Sequence, residues 1–323
     1  MKAFITGGTG FIGSHLVDRL LADNAGELRC MVRAQERWLT GKSYTRVSAG
    51  LHDVDTIAEA LEGVDVLFHT AGVVKARDTR TFHQVNVEAT ENLLRLAMRK
   101  GVPKVVILSS QAAAGPSFNK PVEETMPMMP VSRYGESKKR MEEMIHQVAG
   151  EGISVSIIRP SSVYGPREED IYTIFKIAAK GIFPIIGKAP GKPISLVHVR
   201  DVVEGSLLAA ADRTPGVQTW FISSERGYSW HEIAEATQMA LGKKLTKIHV
   251  PESWVSRVGT IAETGASFFG KYPVLNRDKA AEMVLSWVCS VEKARIELGY
   301  QPSVSLQEGI RETIAWYKTH NWL

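Results

Sequence analysis

Residues 6–13 read Thr6-Gly7-Gly8-Thr9-Gly10-Phe11-Ile12-Gly13, and this stretch decides the fold. It follows a short apolar run, Ala3-Phe4-Ile5, that reads as a buried strand. It leads into Phe11-Ile12, Leu16-Val17 and Leu20-Leu21, whose spacing fits one face of a helix. The glycines therefore stand at a strand-to-helix turn. There a dinucleotide pyrophosphate lies against free backbone N–H groups, those of Phe11 and Ile12 among them, at the positive end of a helix dipole. Gly7 permits the tight turn, Gly10 the close approach of backbone to phosphate, and Gly13 the packing of helix on sheet.

The rest of the chain fits a protein built on such a turn. Its 323 residues exceed what one small core needs, so one large domain or two intimately joined ones are expected. Net charge is +4, from 39 basic and 35 acidic residues, and no basic run argues for nucleic acid. No apolar run reaches the roughly 20 residues of a membrane span. The first strand begins at Lys2, leaving no room for a signal peptide. Cys30 and Cys289 lack metal-ligand spacing, so a reducing, cytoplasmic compartment is expected and no metal.

Strands and helices alternate along the first half. Leu28 to Arg33 is a second strand. Where such a strand ends, an acidic residue bonds the 2′-hydroxyl of NAD, whereas an arginine suits the 2′-phosphate of NADP. Arg33 stands there with no Asp or Glu, so NADP is favoured and NAD stays possible. Tyr44 to Ala49 reads as a third strand, with Asp53 capping the helix that runs to Leu61. Val64 to Phe68 is a fourth, leading into His69-Thr70-Ala71-Gly72, where Ala71 and Gly72 leave space for a cofactor over the strand edge. His69 alone reads as a satisfied histidine under the loop. A long helix is expected from about Arg80 to Arg99, with Asn86 either exposed on it or making a functional hydrogen bond. A fifth strand, Lys104 to Leu108, ends in Ser109-Ser110, hydroxyls that either cap the strand end or face a ligand crevice.

Tyr134 and Lys138 are four apart, so on a helix they share a face. A fixed ammonium favours phenolate, lowers the phenol's pKa from near 10, and fits the tyrosine for general acid–base work near neutral pH. The weight of the pair comes from its place in the order: glycine turn, strand-end serine, then tyrosine and lysine on the next helix.

At this point the chain resembles the extended short-chain dehydrogenases/reductases, the NAD-dependent epimerase/dehydratase superfamily. The resemblance rests on residues 6–13, Asn86 to Leu94, Ser109-Ser110, Tyr134 with Lys138, Arg159 to Pro166 and Val197 to Val202. It implies that Tyr134 exchanges a proton with a substrate oxygen. Lys138 would hold the nicotinamide ribose, and Ser110, five before Gly115, would bond the same substrate oxygen. It places Asn86 near the active site and Pro160 to Val163 beside the nicotinamide. It also implies a homodimer through the helices that hold Asn86 and Tyr134. Two positions depart from the family. Ala49-Gly50-Leu51 stands where the family often has Gly-Asp-Leu, so the aspartate that bonds adenine is missing while Leu51 remains a cofactor-binding candidate, and Ile194 stands where nucleotide-sugar members often carry a diphosphate-gripping arginine.

The expected fold is a doubly wound parallel sheet (Rossmann) with a smaller mixed α/β substrate lobe. Residues 1–160 with about 194–222 would form the dinucleotide domain, and 161–193 with 223–323 the substrate lobe. In the second half, Lys180 to Pro184 reads as an apolar loop and the chain returns to the sheet near Leu196. Trp230 to Leu241 reads as a helix. Apolar positions from Trp254 through Phe269 recur at helical spacing, as core or as a pocket cover. The tail most resembles the 3β-hydroxysteroid dehydrogenase and dihydroflavonol reductase branch. The expected activity interconverts a ketone and a secondary alcohol on a mainly apolar small molecule. The alternative is a nucleotide-sugar epimerase or dehydratase with tightly bound NAD.

Overall fold

The computed structural model describes residues 1–150, 152–187, 192–255, 257 and 277–323. Seven strands form one sheet in the order β10-β6-β5-β4-β1-β2-β3, every neighbouring pair parallel. They are β1 (Lys2–Thr6), β2 (Glu27–Met31), β3 (Thr45–Val47), β4 (Val66–His69), β5 (Lys104–Leu108), β6 (Ser154–Pro160) and β10 (Gly216–Ile222). Parallel strands need crossovers, and here these are helices on both faces, so the central strands β1, β4 and β5 are buried along nearly their whole length.

The alternation of side chains sorts the core into two layers. Ala3, Ile5, Val66, Phe68, Val106 and Ile158 face one side, against Leu16, Val17 and Leu20 of α1 (Phe11–Ala22) and Val202 and Val203 of the helix Val199–Ala211. Phe4, Leu67, Val105, Ile107, Val155 and Ile157 face the other. There they meet Ile57 of α2 (Val54–Ala60), Leu93 and Leu94 of the helix Ala89–Arg99, and Met141 and Ile145 of the helix Arg133–Val148. Truncating a residue such as Phe4, fully buried in that layer, would cost about 3–5 kcal/mol.

The second half builds a third core. β8 (Ile182–Ile186) pairs with β11 (Thr246–Val250), and the helices Tyr172–Ala179, Trp230–Leu241 and Leu306–Thr319 pack around them. The helix Trp230–Leu241 stands where its pattern placed it, fixed by a capping box of Ser229 and Glu232. The segment read as an apolar loop is instead the start of β8. Leu196 does not rejoin the large sheet: β10 takes the place beside β6, so β9 (Leu196–His198) pairs with β7 (Ser162–Tyr164). Asp53 precedes α2 but does not cap it, because its carboxylate accepts from the Gly50 N–H at 2.5 Å instead. Most of the expected Trp254–Phe269 helix lies outside the described residues.

The order 3-2-1-4 makes the chain leave β1 in opposite directions, and a crevice opens there at the carboxyl ends of the strands. Thr6 and His69, the last residues of β1 and β4, are register partners. The glycine turn lies directly beyond them.

Candidate active site

The glycine turn is held by contacts that allow no side chain at two of its positions. Gly7 has φ +76°, and a Cβ on it would sit 2.5 Å from the Ala71 nitrogen. A Cβ on Gly13 would lie 2.3 Å from the Gly7 carbonyl oxygen and 2.6 Å from Thr70 Oγ1. Gly10 occupies the N-cap of α1, and no side chain caps that end. Its first N–H groups, those of Phe11 and Ile12 included, point outward as a ready anion cradle. The residues therefore fit a dinucleotide pyrophosphate. Ala71 and Gly72 line the neighbouring edge after β4. His69 lies beneath as a satisfied core histidine, Nδ1 2.6 Å from Thr6 Oγ1 and Nε2 2.9 Å from Thr90 Oγ1. Burial lowers its pKa to about 3.

Arg33 is exposed just past β2, beside Gly50, and makes no ion pair among the described residues. Leu51 is half-buried against the core layer that contains Ala49 and Ile57. Pro160 closes β6 in register with Ile222, and Val163 in β7 is half-buried at the same sheet edge.

The helix expected over residues 80–99 runs without a gap from Thr79 to Arg99 and passes through a π-helical segment, His83–Glu88, between the α-helical stretches Thr79–Phe82 and Ala89–Arg99. Asn86 sits in the π segment, the kind of irregularity that gathers at functional sites. Its Oδ1 accepts from Val73 N–H at 2.9 Å, and its Nδ2 donates to Val73 O at 2.9 Å and Ser137 Oγ at 3.0 Å. Both donors are thus spent on the scaffold. Asn86 is a positioning residue that ties the loop after Gly72 to the next helix, not one with a free group for substrate.

That helix, Arg133–Val148, begins at Ser132, whose hydroxyl accepts from Gly135 N–H at 3.1 Å. Its start is also pinned from the far end of the chain: Arg133 pairs with Asp278 at 2.7 Å, and Ser132 donates to Glu282 at 2.6 Å. The helix brings Tyr134 and Lys138 to the crevice together. The Tyr134 hydroxyl faces the side chain of Ser110, which is half-buried and starts the short helix Gln111–Ala114. Lys138 is buried, donates from Nζ to the Leu108 carbonyl at 2.7 Å, and stands beside Asn86 and Gly72. Ser109 was expected at the cofactor. Its hydroxyl instead donates to buried Glu142, which leaves Ser110 as the serine facing the crevice.

The electrostatics differ from the reading of the Tyr-Lys pair. Burial pushes the Tyr134 phenol up to about 12, against a smaller lowering by Ser110, and Glu282 adds to the rise. Lys138 is pulled down to about 8 by burial, with the Glu142 carboxylate opposing. In the chain by itself, desolvation outweighs the attraction that the spacing implied. The site holds a protonated phenol, ready to donate.

Two residues escaped the sequence reading. Glu142 and Arg159 form a buried ion pair at 2.6 Å beneath Lys138. The available signal was Arg159 itself, a cation inside the apolar strand Ser154–Pro160, which needs a buried partner.

A doubly wound sheet with a glycine turn and a Ser-Tyr-Lys cluster at one edge defines a nicotinamide-dependent enzyme of the short-chain type. Comparison with known proteins agrees. The model of the NAD dependent epimerase/dehydratase family matches residues 3–222, and the chain belongs to that family. It is 27% identical to the ceramide reductase of Caulobacter vibrioides, over 99% of this chain and 95% of that protein. It is 28% identical to a 3 beta-hydroxysteroid dehydrogenase/Delta 5-->4-isomerase of Mycobacterium tuberculosis, over 98% of this chain and 90% of that protein. Among solved structures, gox2253 superposes with a TM-score of 0.81 at 29% identity, covering 99% of this chain and 98% of that one. MoeE5, solved with UDP-glucose and NAD, gives 0.79 at 23% identity over 99% and 100%, a likeness of fold. The chain is therefore an enzyme of an NAD-dependent oxidoreductase family with reductase and dehydrogenase relatives. No helix among the described residues is long and apolar enough to cross a membrane.

Proposed function

We propose that this chain is an NADP-preferring oxidoreductase that interconverts a ketone and a secondary alcohol on a mainly apolar small molecule. The observation that carries the reading is the meeting of Ser110, Tyr134 and Lys138 at the sheet edge beside the glycine turn. Gly7, Gly10, Phe11, Ile12 and Gly13 would hold the pyrophosphate, Arg33 the 2′-phosphate, and Lys138 the nicotinamide ribose, with Ala71, Gly72, Pro160 and Val163 along the same edge. The bound nicotinamide supplies or takes up the hydride. Tyr134 donates its proton to the carbonyl oxygen in reduction and takes it back in oxidation, while Ser110 hydrogen-bonds that oxygen.

Two features favour an apolar substrate over a nucleotide sugar. Ile194, at the place of a diphosphate clamp, is locked in backbone bridges to Tyr228 and Trp287 and offers no charge. Phe118, Met129 and Val131, on the segment that leads into the Tyr134 helix, are exposed apolar side chains. The reductase and steroid dehydrogenase relatives support the same direction. Buried free thiols at Cys30 and Cys289 fit a reducing compartment, the cytoplasm.

We read the chain as a homodimer through the helices Ala89–Arg99 and Arg133–Val148, the assembly that the family resemblance implies. Their outward faces carry Arg95, Arg99, Arg140 and Glu143, with Arg95 and Arg140 paired to Glu91 and Glu136 on their own helices. The test of function is the cofactor. Purified protein is denatured to release and identify any nucleotide, and the emptied protein is titrated with NADPH and NADH. We expect an empty protein that binds NADPH at least about tenfold more tightly, about 1.4 kcal/mol. Near-stoichiometric retained NAD would favour the internal redox cycle of an epimerase or dehydratase.

A further inference from the structure

Three residues one turn apart on the helix Arg133–Val148 meet three consecutive residues at the end of β5, Leu108 to Ser110. Tyr134 faces the Ser110 hydroxyl, Lys138 donates to the Leu108 carbonyl, and Glu142 accepts from the Ser109 hydroxyl. Glu142 is the deepest of the row, with its side chain 1% exposed. Arg159 holds it through two groups, Nη2 to Oε2 at 2.6 Å and Nε to both oxygens at 3.1 Å. The remaining donor, Arg159 Nη1, has no partner among the described residues, and the guanidinium lies over the Phe221 ring at 5.4 Å. A buried ion pair with an unused donor is a poor stabiliser compared with apolar side chains of equal volume. Its placement, directly under the reacting groups, accounts for it better.

We infer that Glu142, clamped by Arg159, is a positioning residue of the active site: it fixes Ser109, and through it Ser110, and holds the charge of Lys138. The inference rests on the oxidoreductase reading. The groups facing Lys138 are Tyr134 and Glu142 on its own helix, His69 from β4 and Asn86 from the π segment, with Arg159 of β6 behind Glu142. His69 is neutral, and among the described residues Glu142 supplies the negative charge that favours the Lys138 ammonium.

The test follows the Lys138 ammonium by NMR in lysine-labelled protein, alongside NADPH affinity from pH 6 to 9. In Glu142→Gln the Lys138 titration should move to lower pH by about one unit or more, with NADPH affinity at pH 8 reduced about tenfold and little changed at pH 6. Glu142→Asp should restore most of the wild-type profile. The charge-free pair Glu142→Leu with Arg159→Met guards against misfolding of the single variant and should show the same displacement. A folded variant whose Lys138 titrates as in wild type overturns the inference. If the titration moves but neither protein binds NADPH or NADH, the hold on Lys138 stands and the oxidoreductase reading falls.

Discussion

Gly13→Ala tests the construction of the cofactor turn most sharply, because two of its effects oppose each other. In a helix interior the change from glycine to alanine stabilises by roughly 0.5–1 kcal/mol. Here the new methyl would lie 2.3 Å from the Gly7 carbonyl oxygen and 2.8 Å from its carbon. Ordinary contact requires about 1 Å of movement by backbone, not by a flexible side chain. Overpacking of this kind costs about 1–3 kcal/mol, so we expect a net loss of about 1–2 kcal/mol, or roughly 3–6 °C in Tm. The displaced element is the turn that would meet the pyrophosphate, so NADPH affinity should fall by at least about tenfold. Gly8→Ala is the control within the same motif. Its methyl would meet only Val17, Ile5 and Leu39 side-chain carbons at 3.5–3.6 Å, and both properties should stay near wild type. Calorimetry and titration of both variants decide the matter. A Gly13→Ala protein as stable as wild type, with unchanged NADPH affinity, would refute the reasoning.

Further expectations follow from other residues. Arg33→Glu should cost NADPH at least about tenfold in affinity while leaving NADH within a few-fold, read by fluorescence titration. Stability should fall as pH drops from 6.5 toward 5. Burial holds His15 to about 4 and His69 and His198 to about 3, so the unfolded chain binds three protons there that the folded chain refuses. Glu168, raised to about 7 by burial, opposes with one proton bound by the folded state. The balance leaves roughly 2 kcal/mol lost per pH unit, measurable by urea melts, and stability that stayed flat or rose would contradict the assignments. Light scattering should find a dimer at physiological salt, paired through the helices that hold Asn86 and Tyr134, where Arg140 and Glu143 lie on the outward face; a monomer would count against this.

The glycine turn and the Ser110–Tyr134–Lys138 cluster were legible because their order along the chain maps directly onto the sheet edge. Alternating strands and helices fix which ends come together. The π segment around Asn86 was not legible, because one extra residue per turn leaves the apolar pattern nearly unchanged. β8 and β9 were missed as elements of separate pairs because short apolar runs beside Pro184 and Pro193 do not reveal which neighbour they bond. The sign of the Tyr134 shift depends on desolvation, which spacing alone does not report. The spacing to Gly115 picked out Ser110 as the substrate serine, but that Ser109 turns away from the crevice depends on the buried carboxylate of Glu142, which no local pattern announces.

The central claim is net hydride transfer, with Tyr134 moving the proton. The direct measurement is turnover of apolar ketones with NADPH deuterated at the nicotinamide C4, comparing wild type with Tyr134→Phe. The account predicts deuterium on the carbinol carbon of the product, one NADP released per alcohol formed, and a loss of at least about a hundredfold in kcat for Tyr134→Phe at similar NADPH affinity. Full activity in Tyr134→Phe, or conversion of a nucleotide sugar with no net change in cofactor, would contradict it.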